Sequence, residues 1–420
     1  MEGNTVLPHR SDFRFGGVSL KGFESLPSGN GKLSASEYLP WDNPEFERDP
    51  NPWFERVLNE APVLREESGT YVVSKYADIF EFGQLPSLST EEGWDEAGPW
   101  SISSSTIIGR DGDDHSRMRR KLSPWLAPKA NREWVITTGQ VTERILDTHP
   151  NGELDGWLDL VLVATHETMC RILKVNNSDP VGVMHEIAMT MPMLSACPRA
   201  GAIEDAAIGF QKLSNRVDIF LADRQNNPSD GLMDALMTLE QNGDFSHTEM
   251  RSTLLLLYAL GHMDVGYFIT AGLRVFAELP EVFSTYKQNV DLRDSIINEI
   301  VRFDTPEPNF YRTTTEELSI RGVDIKAGST IRFLLGAANK DPEIFEDPHT
   351  FKVDRPLDHK VMSFGTGIHT CPGQAYSRAQ ARVIYDILAN RYSSISLREP
   401  FEMDNTDFSR HFLNLPLTLS

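Results

Sequence analysis

A chain of 420 residues, 40% hydrophobic and 24% charged, has the make-up of a soluble globular enzyme built as one large domain or a few ordinary ones. A formal net charge of −21 opposes binding to nucleic acid or to anionic membranes, so neither is expected as a partner. Cys170, Cys197 and Cys371 form no disulfide framework and fit a reducing, cytoplasmic setting.

In chain order, residues 1–40 read as an extended, Ser/Gly/Pro-rich lead with no apolar core or cleavage site of a signal peptide. Residues 41–420 read as a single domain. A helix is expected over Asn51–Glu60, then short strands in "PVLRE" and "TYVVS". Residues 89–109, with Trp94 and Trp100, form a polar loop long enough to suggest function. Helical periodicity then fills 114–126, 131–148, 154–174, 180–194, 204–225, 230–241, 247–279 and 291–303. "ELSIRGVDIKAGSTIRFLL" alternates like short strands, and a last helix is expected from Gly373 to about Asn390. The class is mainly α with a small β portion. The apolar run Thr253–Leu273 approaches membrane-spanning length, but Asp264 in its middle would cost about 2.5–3.5 kcal/mol in a bilayer centre. It is read as a buried helix, with no membrane anchor.

The stretch "MSFGTGIHTCPGQA" concentrates glycines around Cys371, just before an amphipathic helix. Helix-start N–H groups favour a thiolate there, and the glycines let backbone turn toward the sulfur or approach something flat and bulky. By itself Cys371 is a structural cysteine, a catalytic thiol or a metal-bound thiolate. Zinc is disfavoured, since no second cysteine lies at ligand spacing.

The string "FGTGIHTCPG" resembles the cysteine loop of the cytochrome P-450 haem-thiolate monooxygenases, soluble bacterial type, and the resemblance runs from about Asn43 to the C-terminus. It implies the cytochrome P-450 fold, haem b (iron protoporphyrin IX) as cofactor, Cys371 as iron ligand, and Phe364, Gly365 and Gly373 around it. "NEIVR" matches the Glu-x-x-Arg pair, so Glu299 and Arg302 would form a structural network closed by Arg355 of "FKVDRP". "DDHSRMRRKL" resembles the helix contacting the haem propionates through His115 and Arg119, one turn apart. Arg312 and His369 match further propionate contacts. A thiolate ligand favours O–O cleavage, an effect for which this family is the standard example.

One motif departs from the pattern. Where the family carries an acid followed by Thr, this chain reads "LGHMDVGYF", with Asp264 near the position of the alcohol. Asp264 would then relay protons, hydrogen-bond the substrate, or leave the missing hydroxyl to the substrate. Burial would raise its pKa. By resemblance, Trp94, Trp100, Met191, Leu256, Leu260, Phe310 and Phe412 would line a pocket for a mostly apolar small molecule. Met189 and Met193 would add adaptable surface. A terpenoid, polyketide or modified amino acid or peptide of secondary metabolism would fit. The co-substrates would be O2 and electrons from a separate ferredoxin and ferredoxin reductase. Arg117, Arg120, Lys121, Arg378 and Arg382 could attract the ferredoxin. The altered helix keeps open a peroxide-driven, cyclising or coupling enzyme of the same fold, and a non-catalytic haem protein that binds a ligand.

Overall fold

Amphipathic spacing is converted into packed helices throughout the computed structural model, which describes residues 33–420 except 92–98, 196–197, 199, 357–360 and 406–407. Trp94 and Cys197 lie outside the described residues, as do residues 1–32 of the expected lead. The helices that build the site are α1 (Asn51–Glu60), α2 (Gly112–Leu126), α3 (Pro128–Thr148), α4 (Leu162–Leu173), α5 (Ala202–Asn226), α6 (His247–Leu260), α7 (Met263–Glu278), α8 (Arg293–Phe303) and α9 (Gln374–Arg391). In α1, Phe54, Val57 and Leu58 fall on one face and are buried, as the i, i+3, i+4 pattern requires. Leu39 is buried in the same cluster, so packing begins before α1.

The small β portion is led by a five-stranded sheet. Its strands are β1 (Val63–Arg65), β2 (Tyr71–Val73), β3 (Leu88–Ser89), β4 (Asn309–Thr314) and β5 (Thr330–Leu334), in the order β1-β2-β5-β4-β3. β2 pairs in parallel with β5, Tyr71 opposite Ile331, while β4 runs antiparallel to β5, Phe310 opposite Phe333.

Three expected helices are divided, the one over 180–194 into Pro180–Ala188 and a short turn at Pro192–Leu194. Over 154–174, Glu153–Asp155 pairs as a strand with Pro416–Leu419, and the helix proper starts at Leu162 after a wide turn. Asp155 causes this: its carboxylate accepts the N–H groups of Trp157, Leu158 and, from the far end of the chain, Leu415. Over 247–279, α6 starts with a capping box between Ser246 and Glu249 but ends at Leu260, and α7 begins at Met263. At the break, the His262 imidazole Nδ1 bonds the Tyr258 carbonyl that its own backbone N–H would take in a continuous helix. The His262 N–H turns to Ala259 O instead, at 3.1 Å. His262 Nε2 lies 3.0 Å from Nδ1 of His166 on α4, which pins the break from outside. The run His247–Glu278 has the length and hydropathy to cross a membrane, yet 72% of its most apolar window is buried inside the protein.

Candidate active site

The cysteine loop is shaped by two glycines in the left-handed region, Gly365 (φ 68°) and Gly367 (φ 71°). The loop closes through Cys371 N–H to Phe364 O at 2.8 Å, and Gly373 caps α9. The Gly373 N–H hydrogen-bonds the sulfur, and a Cβ on Gly373 would sit 3.7 Å from it. A Cβ on Gly365 would meet no atom within 4 Å, so this edge of the loop borders open space. Phe364 is held beneath the Arg378 guanidinium, 4.3 Å from its ring centre. Burial dominates and pushes the Cys371 thiol up to about 11, against the lowering by Gly373 N–H and Arg119.

Basic groups from two elements gather beside the loop and its own His369. His115 on α2 is 3% exposed, its Nε2 has no hydrogen-bond partner, and its ring centre is 4.4 Å from that of His369. One turn on, Arg119 donates to Thr370 O at 2.7 Å. Arg312 on β4 donates to Tyr311 O and lies over Phe310, 4.5 Å from its ring centre. Burial, with the His369 and Arg119 charges, holds the His115 pKa down to about 4, and burial lowers Arg312 to about 10. Asp111 is the carboxylate paired with this group, receiving His369 Nε2 at 2.7 Å. Burial would raise its pKa, but hydrogen bonds from His369, Ser89 and Thr90 prevail and hold it well below the carboxylate range.

These residues fit the haem implied by the cysteine loop. His115 Nε2 is orphaned, Arg119 and Arg312 have depressed pKa values, and open space lies at Gly365. Such a set is costly unless anions meet it, and two propionates beside a thiolate-ligated iron match it in charge and in donor type.

Asp264 stands in the first turn of α7 and hydrogen-bonds Glu307, which lies between α8 and β4. Burial, and the mutual repulsion of two carboxylates, push Asp264 well above the usual range, and burial raises Glu307. Both charges act on Cys371, so the pair borders the same interior. Val265, at the next position, is buried and offers no hydroxyl. Sequence reasoning placed the stretch "TPEPNFY" beside the pocket but did not single out Glu307. Its one signal was an acid between two prolines, five residues before Arg312.

A small apolar cavity lies over Met263, walled by Trp100, Met191, Phe210, Leu256 and Leu260. Trp100 is fixed by its Nε1–H bond to Thr190 O. Two expected lining residues are elsewhere. Phe412 sits on a short strand that turns it into the core against Phe401, and Phe310 packs on Phe333 of the neighbouring strand. Neither Met189 nor Met193 is among the lining residues.

The Glu299 network is as expected from its motif. Glu299 and Arg302 are fully buried, bonded at 2.7 and 2.8 Å, with Arg355 Nε at 3.1 Å. The basic docking patch is weaker than its sequence suggests. Arg117 pairs with Glu249, Lys121 with Asp244 and Arg382 with Asp294 and Asp386, while Arg378 bonds Asn298; Arg120 remains exposed.

Residues 210–417 match the family model described as cytochrome P-450. A curated relative, the beta-dihydromenaquinone-9 omega-hydroxylase of Mycobacterium bovis, is 26% identical, covering 88% of this chain and 75% of that protein. The 20-oxo-5-O-mycaminosyltylactone 23-monooxygenase of Streptomyces fradiae is also 26% identical, over 74% of this chain and 72% of its own. Among solved structures, the epothilone D-bound cytochrome epoK superposes with a TM-score of 0.83 at 19% identity, covering 93% of this chain and 100% of that one.

Proposed function

Because the chain belongs to the cytochrome P-450 family and is a haem b monooxygenase, we propose that it oxidises a mostly apolar small molecule of secondary metabolism over the Asp264–Glu307 pair. The observation that carries this reading is the Asp264–Glu307 pair, close enough to act on Cys371, next to Met263, which lines the apolar cavity. The macrolide relative supports a polyketide-like substrate.

Cys371 would hold the iron, and His115, Arg119 and Arg312 would take the propionates, with His369 oriented by Asp111. The haem, so held, supplies O2 binding and activation. Everything else falls to side chains. Met263, Leu256, Leu260, Met191 and Trp100 bind the substrate by apolar contact and exclude water. Asp264 and Glu307 hold a proton between them at neutral pH, because two carboxylates in contact cannot both ionise cheaply. That proton, resupplied through water, replaces the delivery that a threonine hydroxyl assists elsewhere in the family. Electrons would come from a separate ferredoxin and its reductase, in a cytoplasmic setting. With most of the expected basic patch ion-paired, Arg120 would be the leading contact.

The test compares wild type with Asp264→Asn and Glu307→Gln for the reduced carbonyl spectrum, optical substrate titration, product and peroxide. The reading expects a thiolate-type spectrum and near-normal binding in all three, with product lost to peroxide in the variants. A histidine-type spectrum in folded protein refutes Cys371 ligation. Full coupling in both variants refutes the acid pair.

A further inference from the structure

A second small and partly open cavity lies between the start of α1, the end of α8 and the C-terminal segment, among Asn51, Phe54, Arg274, Asp304, Lys340 and Arg410. It is lined by none of the residues of the apolar cavity over Met263. Arg274 and Arg410 share Asp304, at 2.7 and 3.0 Å. Lys340 is different. It is 3% exposed, its Nζ has no hydrogen-bond partner, and what it touches is the face of Phe303, 3.6 Å from the ring centre. An ammonium carries three donors, and leaving them unmet in a buried site is costly.

We propose that this cavity is an oxyanion site, in which a phosphate- or carboxylate-type anion accepts from Lys340 Nζ in the field of Arg274 and Arg410. Three cationic side chains line it against the carboxylates of Asp304 and Asp49, and Asp49 is drawn aside by the Asn51 N–H and side-chain amide. Burial and the nearby Arg302 disfavour the charged form of Lys340, and an anion relieves both. Arg274 belongs to α7, so the site ties that helix to α1 and to the C-terminal segment.

The experiment follows thermal unfolding of the haem-loaded protein while inorganic phosphate, or acetate, replaces chloride at constant ionic strength. Expected is a saturable rise in Tm of about 1–3 °C with phosphate. Lys340→Met should be at least as stable as wild type in chloride, having lost an unmatched buried charge, and should not respond to phosphate. Asn51→Asp, a half-buried change at the cavity edge, should shift the phosphate midpoint several-fold upward by repulsion. A response to acetate as well marks a general oxyanion site, and phosphate alone narrows it to the tetrahedral anion. A non-saturating rise shared by wild type and Lys340→Met is generic exclusion from the surface and overturns the proposal. If Lys340→Met does not fold, an unchanged midpoint in Asn51→Asp overturns it as well.

Discussion

Replacing Glu299 by Gln keeps the side chain's size and removes its charge. In wild type the carboxylate accepts both Arg302 Nε and Nη2, Arg355 Nε, and the Lys352 N–H at 3.0 Å. The amide leaves two buried guanidinium groups without a counter-charge and turns an NH2 toward donors. Breaking a buried pair in this way costs about 3–5 kcal/mol. The structure argues for the lower end, about 3 kcal/mol. Arg302 keeps the carbonyls of Asn339 and Pro348, and Arg355 keeps those of Glu346, Asp347 and Thr350. That is still a large share of the roughly 5–15 kcal/mol that holds an ordinary domain folded. Denaturant unfolding of haem-loaded protein, followed by far-UV circular dichroism and haem absorbance, measures it, and haem content on purification should fall. The double variant Glu299→Gln/Arg302→Met removes one of the uncompensated charges and should recover part of the loss. A single variant within about 0.5 kcal/mol of wild type, or a double variant that simply adds two losses, would refute uncompensated charge as the cause.

Three further outcomes are expected. Burial depresses the folded pKa of His411 to about 3 against roughly 6.5 unfolded, so its stabilising effect is full above about pH 6.5 and is lost as pH falls toward about 3. In urea melts across that window, His411→Gln should flatten the slope by up to about 1.4 kcal/mol per pH unit, and equal slopes would contradict the assignment. Gly266→Ala sets a Cβ 2.6 Å from the Trp157 ring, which is too rigid to yield, so unfolding should cost about 1–3 kcal/mol less than in wild type; an unchanged melt would show that the α7–Trp157 contact can relax. Arg312→Met removes the buried guanidinium that lies over Phe310, and haem should dissociate faster into an apo-globin acceptor. Wild-type haem retention would remove Arg312 from the propionate contacts.

Local patterns in the sequence were enough for whatever depends on neighbours along the chain. Periodicity places Asn51–Glu60 to the residue, since the buried face of α1 is built within its own turns. The glycine spacing around Cys371 dictates the loop, because positive φ at Gly365 and Gly367 is a property of those residues. Glu299 and Arg302 meet because i, i+3 positions share a helix face. Tertiary structure decided whatever needed a partner from far along the chain. Residues 247–279 read as one helix, but His166, 96 positions away, draws the His262 imidazole and breaks it. Nothing in the sequence set Glu307 against Asp264; the fold did, and left both short of water. The basic run at Arg117 and Lys121 looked free, and Asp244 and Glu249, more than a hundred positions on, neutralise it. Phe412 looked like pocket lining, and its strand turns it against Phe401. In each case the deciding energy is desolvation or pairing between remote segments, which periodicity along the chain does not encode.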